Sequence, residues 1–379
     1  MDNYTTYVGM DVHARSITAK SLVLETGETS TKVFKAGYCA ADIAQWASKF
    51  PMPVYFAYES GCSGTALARN LRELGYACDV IAVSTLSFST KDKQRKCDKV
   101  DAGVILKAIT QKNPEYSCVW IPTIEQDGLR ELYRAFESAK DEVKRSKQQL
   151  SSFLLRQGIV WNELTKTGNL KKPCGQAFEQ WLSSISFEDT NLQHTYLSYI
   201  ERLCAAEREL KKLEVRLKEA ESSPENVSYI EALSEVKGID RHTAMAVRVE
   251  IGDFERFSNP RSLSAYIGTV PLDRSSGPKC VHGSITKAGD KHIRRALVEG
   301  VGSISTWKTP YKKTSSPTTP TAPIALKANE RLFEKYRHLT RENHKHTNVA
   351  KMAVVSELIR WLWIIGREVQ RREQLQSKG

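Results

Sequence analysis

The first thirty-five residues carry three short β-prone runs, YTTYVGMDV (4–12), ITAKSLVL (17–24) and TSTKVFK (29–35), the last two separated by a Glu-Thr-Gly-Glu turn. In the first run, alternation from Tyr7 through Gly9 to Asp11 places these residues on one sheet face. This spacing predicts a three-strand meander. Beyond it, a helical stretch at 40–50 is followed by PVYFAYES (53–60), the helix TALARNLRELG, the strand ACDVIAV (77–83) and the helix KVDAGVILKAITQ (99–111). Alternating strands and helices imply an α/β sheet with parallel members. The first domain is placed at 1–122.

The pattern then changes to long charged runs with Leu, Phe and Val at three- and four-residue intervals, 125–157 and 192–221, which predict two long helices. In the second, Leu203, Leu210, Leu213 and Leu217 form an apolar seam that needs a partner helix or a partner subunit to cover it. The two options stay open at this level. Between the helices, 158–190 contains Trp161, KTGNLKKPCG and Trp181 and has no assigned structure. The span 123–222 is therefore placed as a helical hairpin or coiled coil with an insertion, and 223–379 as a mainly α domain.

Within that last part, IEALSEVKGIDRHTAMAVRVEI resembles a helix-hairpin-helix, whose turn would offer backbone N–H groups to a phosphate. A plain corner with Gly238 as the helix cap fits the same residues. WKTPYKKTSSPTTPTAP predicts a loop, and two helices follow, with the Trp361 and Trp363 region packing inward. Val349 to Ile365 is apolar but carries Lys351, Glu357 and Arg360, so it is not expected to span a membrane.

Charge changes the picture more than composition does. The chain has 56 Lys and Arg against 44 Asp and Glu, a net charge of +12. Residues 256–351 hold 18 basic and six acidic residues, so this window alone has the charge of the whole molecule. A segregated excess of that size favours a polyanionic partner. Eight cysteines lie scattered with no CxxC pair and no zinc-type spacing, and the N-terminus lacks a secretion signal; reduced thiols and a cytoplasmic location are expected.

Four acidic residues stand out by position. Asp11 ends the first strand, Glu59 the fourth, and Asp98 and Asp101 lie three apart where a helix begins. Carboxylates from separate segments can converge at the carboxyl edge of an open α/β sheet, and such hard oxygen donors suit Mg²⁺. Helix capping by Asp98 and surface exposure of Glu59 are the plain alternatives.

In their order these elements resemble the ribonuclease H-like fold of Holliday-junction resolvases. GMDVHA, YESGCSG and KCDKVDAGVIL are similar to the N-terminal motifs of DEDD transposases of bacterial insertion sequences. The segment from VKGIDRHTAMAVRVEIGDFERF through GSITKAGDKHIRRALVEG is similar to that family's C-terminal transposase part. The resemblance spans roughly residues 4–120 and 228–365.

It implies a resolvase-type domain with a DEDD set, Asp11, Glu59, Asp98 and Asp101, that binds Mg²⁺. It also implies a nucleophilic serine, Ser276, directly before Gly277, with Ser275 its nearest competitor. Bare sequence makes Ser276 only a turn residue. The resemblance further implies covalent phosphoserine chemistry on donor and target DNA, a structured guide (bridge) RNA encoded by the element, a homodimer or homotetramer, and a place at the bacterial nucleoid.

Basic residues beside the serine, Lys279, Lys287, Lys291, Arg294 and Arg295, are candidates for phosphate contacts, and Gly277, Gly283 and Gly289 allow close backbone approach. No GxxxxGK[ST] loop is present, consistent with an ester intermediate that needs no nucleotide. Two other readings remain. One is a resolvase-like metal nuclease that activates water; the other is a nucleic-acid scaffold whose acids only cap helices.

Overall fold

Every second residue of the first strand faces the same way, and this alternation decides how the N-terminal sheet is covered. The computed structural model describes residues 4–35, 39–61, 63–85, 98–111, 116–275, 280–310 and 319–376. The chain divides into two units, Met1–Thr123 and Ile124–Gly379.

The first unit holds β1 (Thr6–His13), β2 (Ser16–Val23), β3 (Thr29–Phe34), α1 (Ala40–Ala47), β4 (Val54–Glu59), α2 (Ala66–Glu73), β5 (Ala77–Ile81), α3 (Asp98–Ile109) and β6 (Cys118–Val119). Its sheet has the order β3-β2-β1-β4-β5-β6. The β1–β2 and β2–β3 pairs are antiparallel, β1–β4 and β4–β5 are parallel, and β6 closes the far edge antiparallel. The expected meander and its parallel continuation are both present as a mixed sheet.

One face of the sheet, with Val8, Met10, Phe56, Tyr58 and Val80, is buried under Ile43 and Trp46 of α1 and Leu67 and Leu71 of α2. On the other face Tyr7, Tyr55, Ala57 and Ile81 pack with Ile105, Leu106 and Ile109 of α3. A parallel strand between helical layers has to be apolar on both sides, and β4 is.

The second unit begins with α4 (Ile124–Arg156), then α5 (Gln176–Ser183) and α6 (Thr190–Glu221). At 33 residues, α4 is roughly 50 Å long. It runs antiparallel to α6. At one end Tyr133 and Phe136 share a core with Leu217, and at the other Phe153 packs on Tyr196 and Tyr199. Midway Lys147 and Glu207 pair at 2.9 Å. The leucine seam of α6 is thus covered within the same chain by α4, which answers the alternative left open by the sequence. The unassigned stretch becomes the cap of this arm: Phe178 and Trp181 of α5 stack on each other, and Trp161 meets both edge-on, at centroid distances of 5.3–5.5 Å.

The rest of the unit is α7 (Pro224–Ser234), α8 (Arg241–Ile251), α9 (Pro260–Ile267), the hairpin β7 (Pro271–Ser275) and β8 (Cys280–Ile285), α10 (Lys291–Val301), α11 (Ala322–Arg337) and α12 (Thr347–Gln376). These helices bury one core that also takes in the base of α4, so the arm and the C-terminal helices fold as one unit. Trp363 faces inward, and its indole donates to the Phe257 carbonyl at 3.1 Å. Among the described residues, no helix is long and apolar enough to cross a membrane.

Candidate active site

Strand parity places the acidic residues of the first unit. Tyr7, Gly9 and Asp11 point to the α3 side of the sheet, as do Tyr55, Ala57 and Glu59 on the neighbouring parallel strand. The last register pair between the strands is Met10 with Tyr58, so Asp11 and Glu59 are the next positions along both, at the carboxyl ends where open sheets place their sites. The helix can reach this face because residue 9 is glycine. A Cβ there would lie 2.5 Å from the Ala102 carbonyl oxygen and 2.5 Å from the Leu106 nitrogen, so α3 lies with its backbone directly on β1. Asp98 and Asp101 occupy the first turn of α3, just before this crossing. Their side chains lie outside the described residues.

Asp11 is only 2% exposed, and its Oδ2 lies 3.1 Å from Nε2 of the exposed His13. Burying a carboxylate is costly unless it is paired, and this one lies at the carboxyl end of a central strand beside a second acid. Glu59 is half-buried. As a donor set, carboxylate oxygens on one face match what a hard divalent cation takes. Among the described residues, no cluster of three or more His, Cys, Asp or Glu forms a metal site.

In the second unit, Ser276, Gly277 and Lys279 lie outside the described residues. The strands that flank them, β7 and β8, pair antiparallel through Asp273 with His282 and Ser275 with Cys280. The foot of this hairpin is well defined. Lys287 donates its backbone N–H to Gly268 and Asp290 donates to Tyr266, at 3.0 and 2.8 Å. Lys287 is exposed and sits at φ +55°, a left-handed conformation that is uncommon for a residue other than glycine. Lys291 is exposed at the first residue of α10.

Several sequence expectations change here. Gly289 provides close approach, but to the protein itself: a Cβ would meet the Tyr266 carbonyl at 2.2 Å. Arg294 is half-buried and donates to the Ile267 carbonyl at 2.6 Å, which holds the end of α9 to α10. Arg295 forks onto Asp141 at 2.7 and 2.8 Å and also bonds Glu299. The first tie holds the Asp141 carboxyl below its usual range, through its hydrogen bonds to Arg295. Of the five basic candidates, Lys287 and Lys291 are the described ones that present their charge to solvent without these internal ties.

The turn of the expected helix-hairpin-helix, Lys237 to Asp240, leads into a capped helix. Asp240 caps the start of α8, accepting from the Thr243 N–H at 2.7 Å. Despite burial, that bond holds Asp240 below the usual carboxylate range. The other N–H groups of this first turn are not taken by Asp240, so the helix-hairpin-helix and plain-corner readings both fit.

Sequence reasoning missed the buried ion cluster at the base of α4. Glu250, on the last turn of α8, is fully buried and accepts both arms of Arg134 at 2.8 and 2.9 Å, with Arg130 Nε at 3.1 Å. Burial pushes its carboxyl up to about 7, against the pull of the two arginines. Two basic residues one turn apart on α4 were the only sequence signal.

The first unit thus carries two neighbouring acids at the carboxyl end of its sheet, and the second carries exposed lysines at the foot of a hairpin. Comparison with known proteins gives the class. Residues 230–315 match the Transposase IS116/IS110/IS902 family. The chain is 29% identical over 337 residues to a putative transposase, y4qE, of Sinorhizobium fredii, covering 86% of this chain and 79% of that one. It is 27% identical to the transposase for insertion sequence element IS1533 of Leptospira borgpetersenii, covering 89% of this chain and 98% of that protein. To the transposase for IS1328 of Yersinia enterocolitica it is 26% identical, covering 83% and 84%. The protein is a DNA transposase, similar over most of its length to insertion-sequence transposases, and its residues 230–315 match the IS116/IS110/IS902 family.

Proposed function

We propose that the transposase cuts and rejoins donor and target DNA through a covalent serine ester, assisted by an acidic, Mg²⁺-binding cluster on a ribonuclease H-like sheet. The observation that carries this reading is Asp11, buried at the carboxyl end of the central strand beside Glu59 and on the face that α3 covers. The strand order β3-β2-β1-β4-β5, antiparallel then parallel, supports the ribonuclease H-like assignment.

In the reaction, the Ser276 oxygen forms a bond to the scissile phosphorus and gives up its proton, while the bond to one deoxyribose oxygen breaks and that oxygen takes a proton. Rejoining reverses the exchange on another strand. Ester exchange conserves the phosphodiester energy and calls for no nucleotide. Asp11, Glu59, Asp98 and Asp101 would hold the cation. When bound, it would stabilise charge developing on the phosphate. Lys287 and Lys291 hold the DNA or RNA backbone by charge. A structured guide RNA, a dimeric or tetrameric assembly and association with the nucleoid complete the proposal by resemblance.

Trapping protein on nicked DNA tests it. Wild type is expected to form a covalent adduct, Ser276→Ala to form none, and Asp11→Asn to lose at least a hundredfold in adduct yield. Free DNA ends at full rate from Ser276→Ala would replace the ester with activated water, the chemistry of a metal nuclease. Sequencing RNA that copurifies with the protein tests the guide; a random cellular mixture would remove it.

A further inference from the structure

Glu250 combines complete burial with more positive than negative charge around it. Arg134 grips its carboxylate through two hydrogen bonds and Arg130 adds a third contact, both from α4. Its backbone carbonyl accepts from Tyr266 Oη at 3.1 Å and from Arg130 and Arg256 at 3.4 Å each. That carbonyl belongs to the last turn of α8, where the helix dipole is negative and unpaired carbonyls attract cations. Gln126 adds another α4 contact, donating to the Val249 carbonyl at 2.7 Å.

The same cluster continues toward the hairpin. Arg256 stacks over the rings of Phe257 and Tyr266 at 4.5 Å. Tyr266 accepts from the Asp290 N–H, and Gly289 packs on its carbonyl. Asp290 in turn caps α10 by accepting from His292 and Ile293 at 2.9 Å each. An unbroken set of contacts therefore leads from the base of the long arm, through Glu250 and Tyr266, to the loop that bears Lys287 and ends β8.

A buried ion pair adds little net stability compared with an apolar pair of the same volume, but it is intolerant of misalignment. A two-pronged guanidinium–carboxylate contact fixes direction as well as distance. We infer that Glu250 is a positioning residue for strand transfer: with Arg130 and Arg134 it sets the angle of the α4–α6 arm against the β7–β8 hairpin, and so the placement of that hairpin's foot. The inference rests on the reading that the hairpin serves the reaction. It adds a residue that touches no substrate.

The groups facing the carboxylate are Arg130 and Arg134 from α4, Arg256 and Tyr266 from the α9 side, and Asp290 from the loop before α10. Protonation below about pH 7 would remove its charge and loosen the fork. The position should therefore be felt as an acid limb in the rate.

Hydrogen exchange of the full-length protein decides the matter without reference to the reaction. Arg134→Lys keeps the cation but loses the fork. It should speed amide exchange at least tenfold in 264–270 and 284–290 while leaving β1 to β5 as in wild type. Glu250→Gln should do the same, should cut strand cleavage at least tenfold with DNA affinity within twofold of wild type, and should abolish the acid limb near pH 7. Unchanged exchange in those two segments in Arg134→Lys, or exchange raised evenly throughout the molecule, overturns the inference even where Glu250→Gln does not fold. If wild type cleaves without a protein–DNA adduct, the serine reading fails separately and the exchange result still stands for Glu250.

Discussion

Gly9 and Arg294 show how one position can carry more than its residue type suggests. Gly9 has no unusual backbone angle to justify it; it is required because the α3 backbone lies where a Cβ would be. Gly9→Ala should destabilise the first unit by about 1–3 kcal/mol, the usual cost of an added methyl group that forces backbone apart. Thermal unfolding of the variant checks this, and an unchanged midpoint would mean that α3 is not seated on β1. Arg294 was singled out from sequence as a phosphate contact, yet its guanidinium holds the Ile267 carbonyl. Arg294→Ala is therefore expected to lower the melting temperature, whereas Lys287→Ala should leave it unchanged and weaken nucleic-acid binding. For Lys287→Ala the slope of log affinity against log salt should fall by about one, as for one lost phosphate contact. Equal slopes in variant and wild type would remove Lys287 from the interface.

At the scale of elements, the arm shows the division of labour between apolar and ionic contacts. Its tip depends on aromatic packing: Phe153, 3% exposed, touches Phe187, Tyr196 and Tyr199. Phe153→Ala should cost about 3–5 kcal/mol, and urea unfolding would show whether the tip collapses to fill the space. Its base is joined to α8 by His242, whose Nδ1 lies 2.9 Å from the buried Glu221 carboxylate. The hydrogen bond to Glu221 raises His242 above its ordinary value, against the opposing effect of burial. A histidine raised on folding stabilises fully below its unfolded pKa of about 6.5, and this contribution fades as pH rises through the folded value. The melting-temperature gap between wild type and His242→Ala should consequently be wider at pH 6 than at pH 9; a gap that widens with pH would contradict the pairing.

For the molecule as a whole, segregated charge and the division into two units matter more than any single contact. The basic excess of residues 256–351 belongs entirely to the second unit, which carries the hairpin, while the buried acid Asp11 belongs to the first. A polyanion attracted by the second unit is attracted by charge that its own paired acids do not cancel at Lys287 and Lys291. The elements needed for this were legible in the chain because each rests on local regularity. Alternation fixed the parity of Asp11, and three- and four-residue spacing fixed α4 and α6. The fate of Arg294 and Arg295 was not legible, since basic side chains near a candidate site look alike in sequence whether they face solvent or a carbonyl twenty-seven residues away.

Sequence by itself therefore determined the local geometry: the strand faces, the long helices, the end positions of Asp11 and Glu59, and the basic segment, because each depends on residues a few positions apart. Tertiary structure alone decided which helix covers the leucine seam, which arginines are held by groups of the protein itself, and that Glu250 lies among three guanidinium groups. Those outcomes depend on the approach of segments scores of residues apart, where packing and the cost of burying charge, rather than local preference, select the contact.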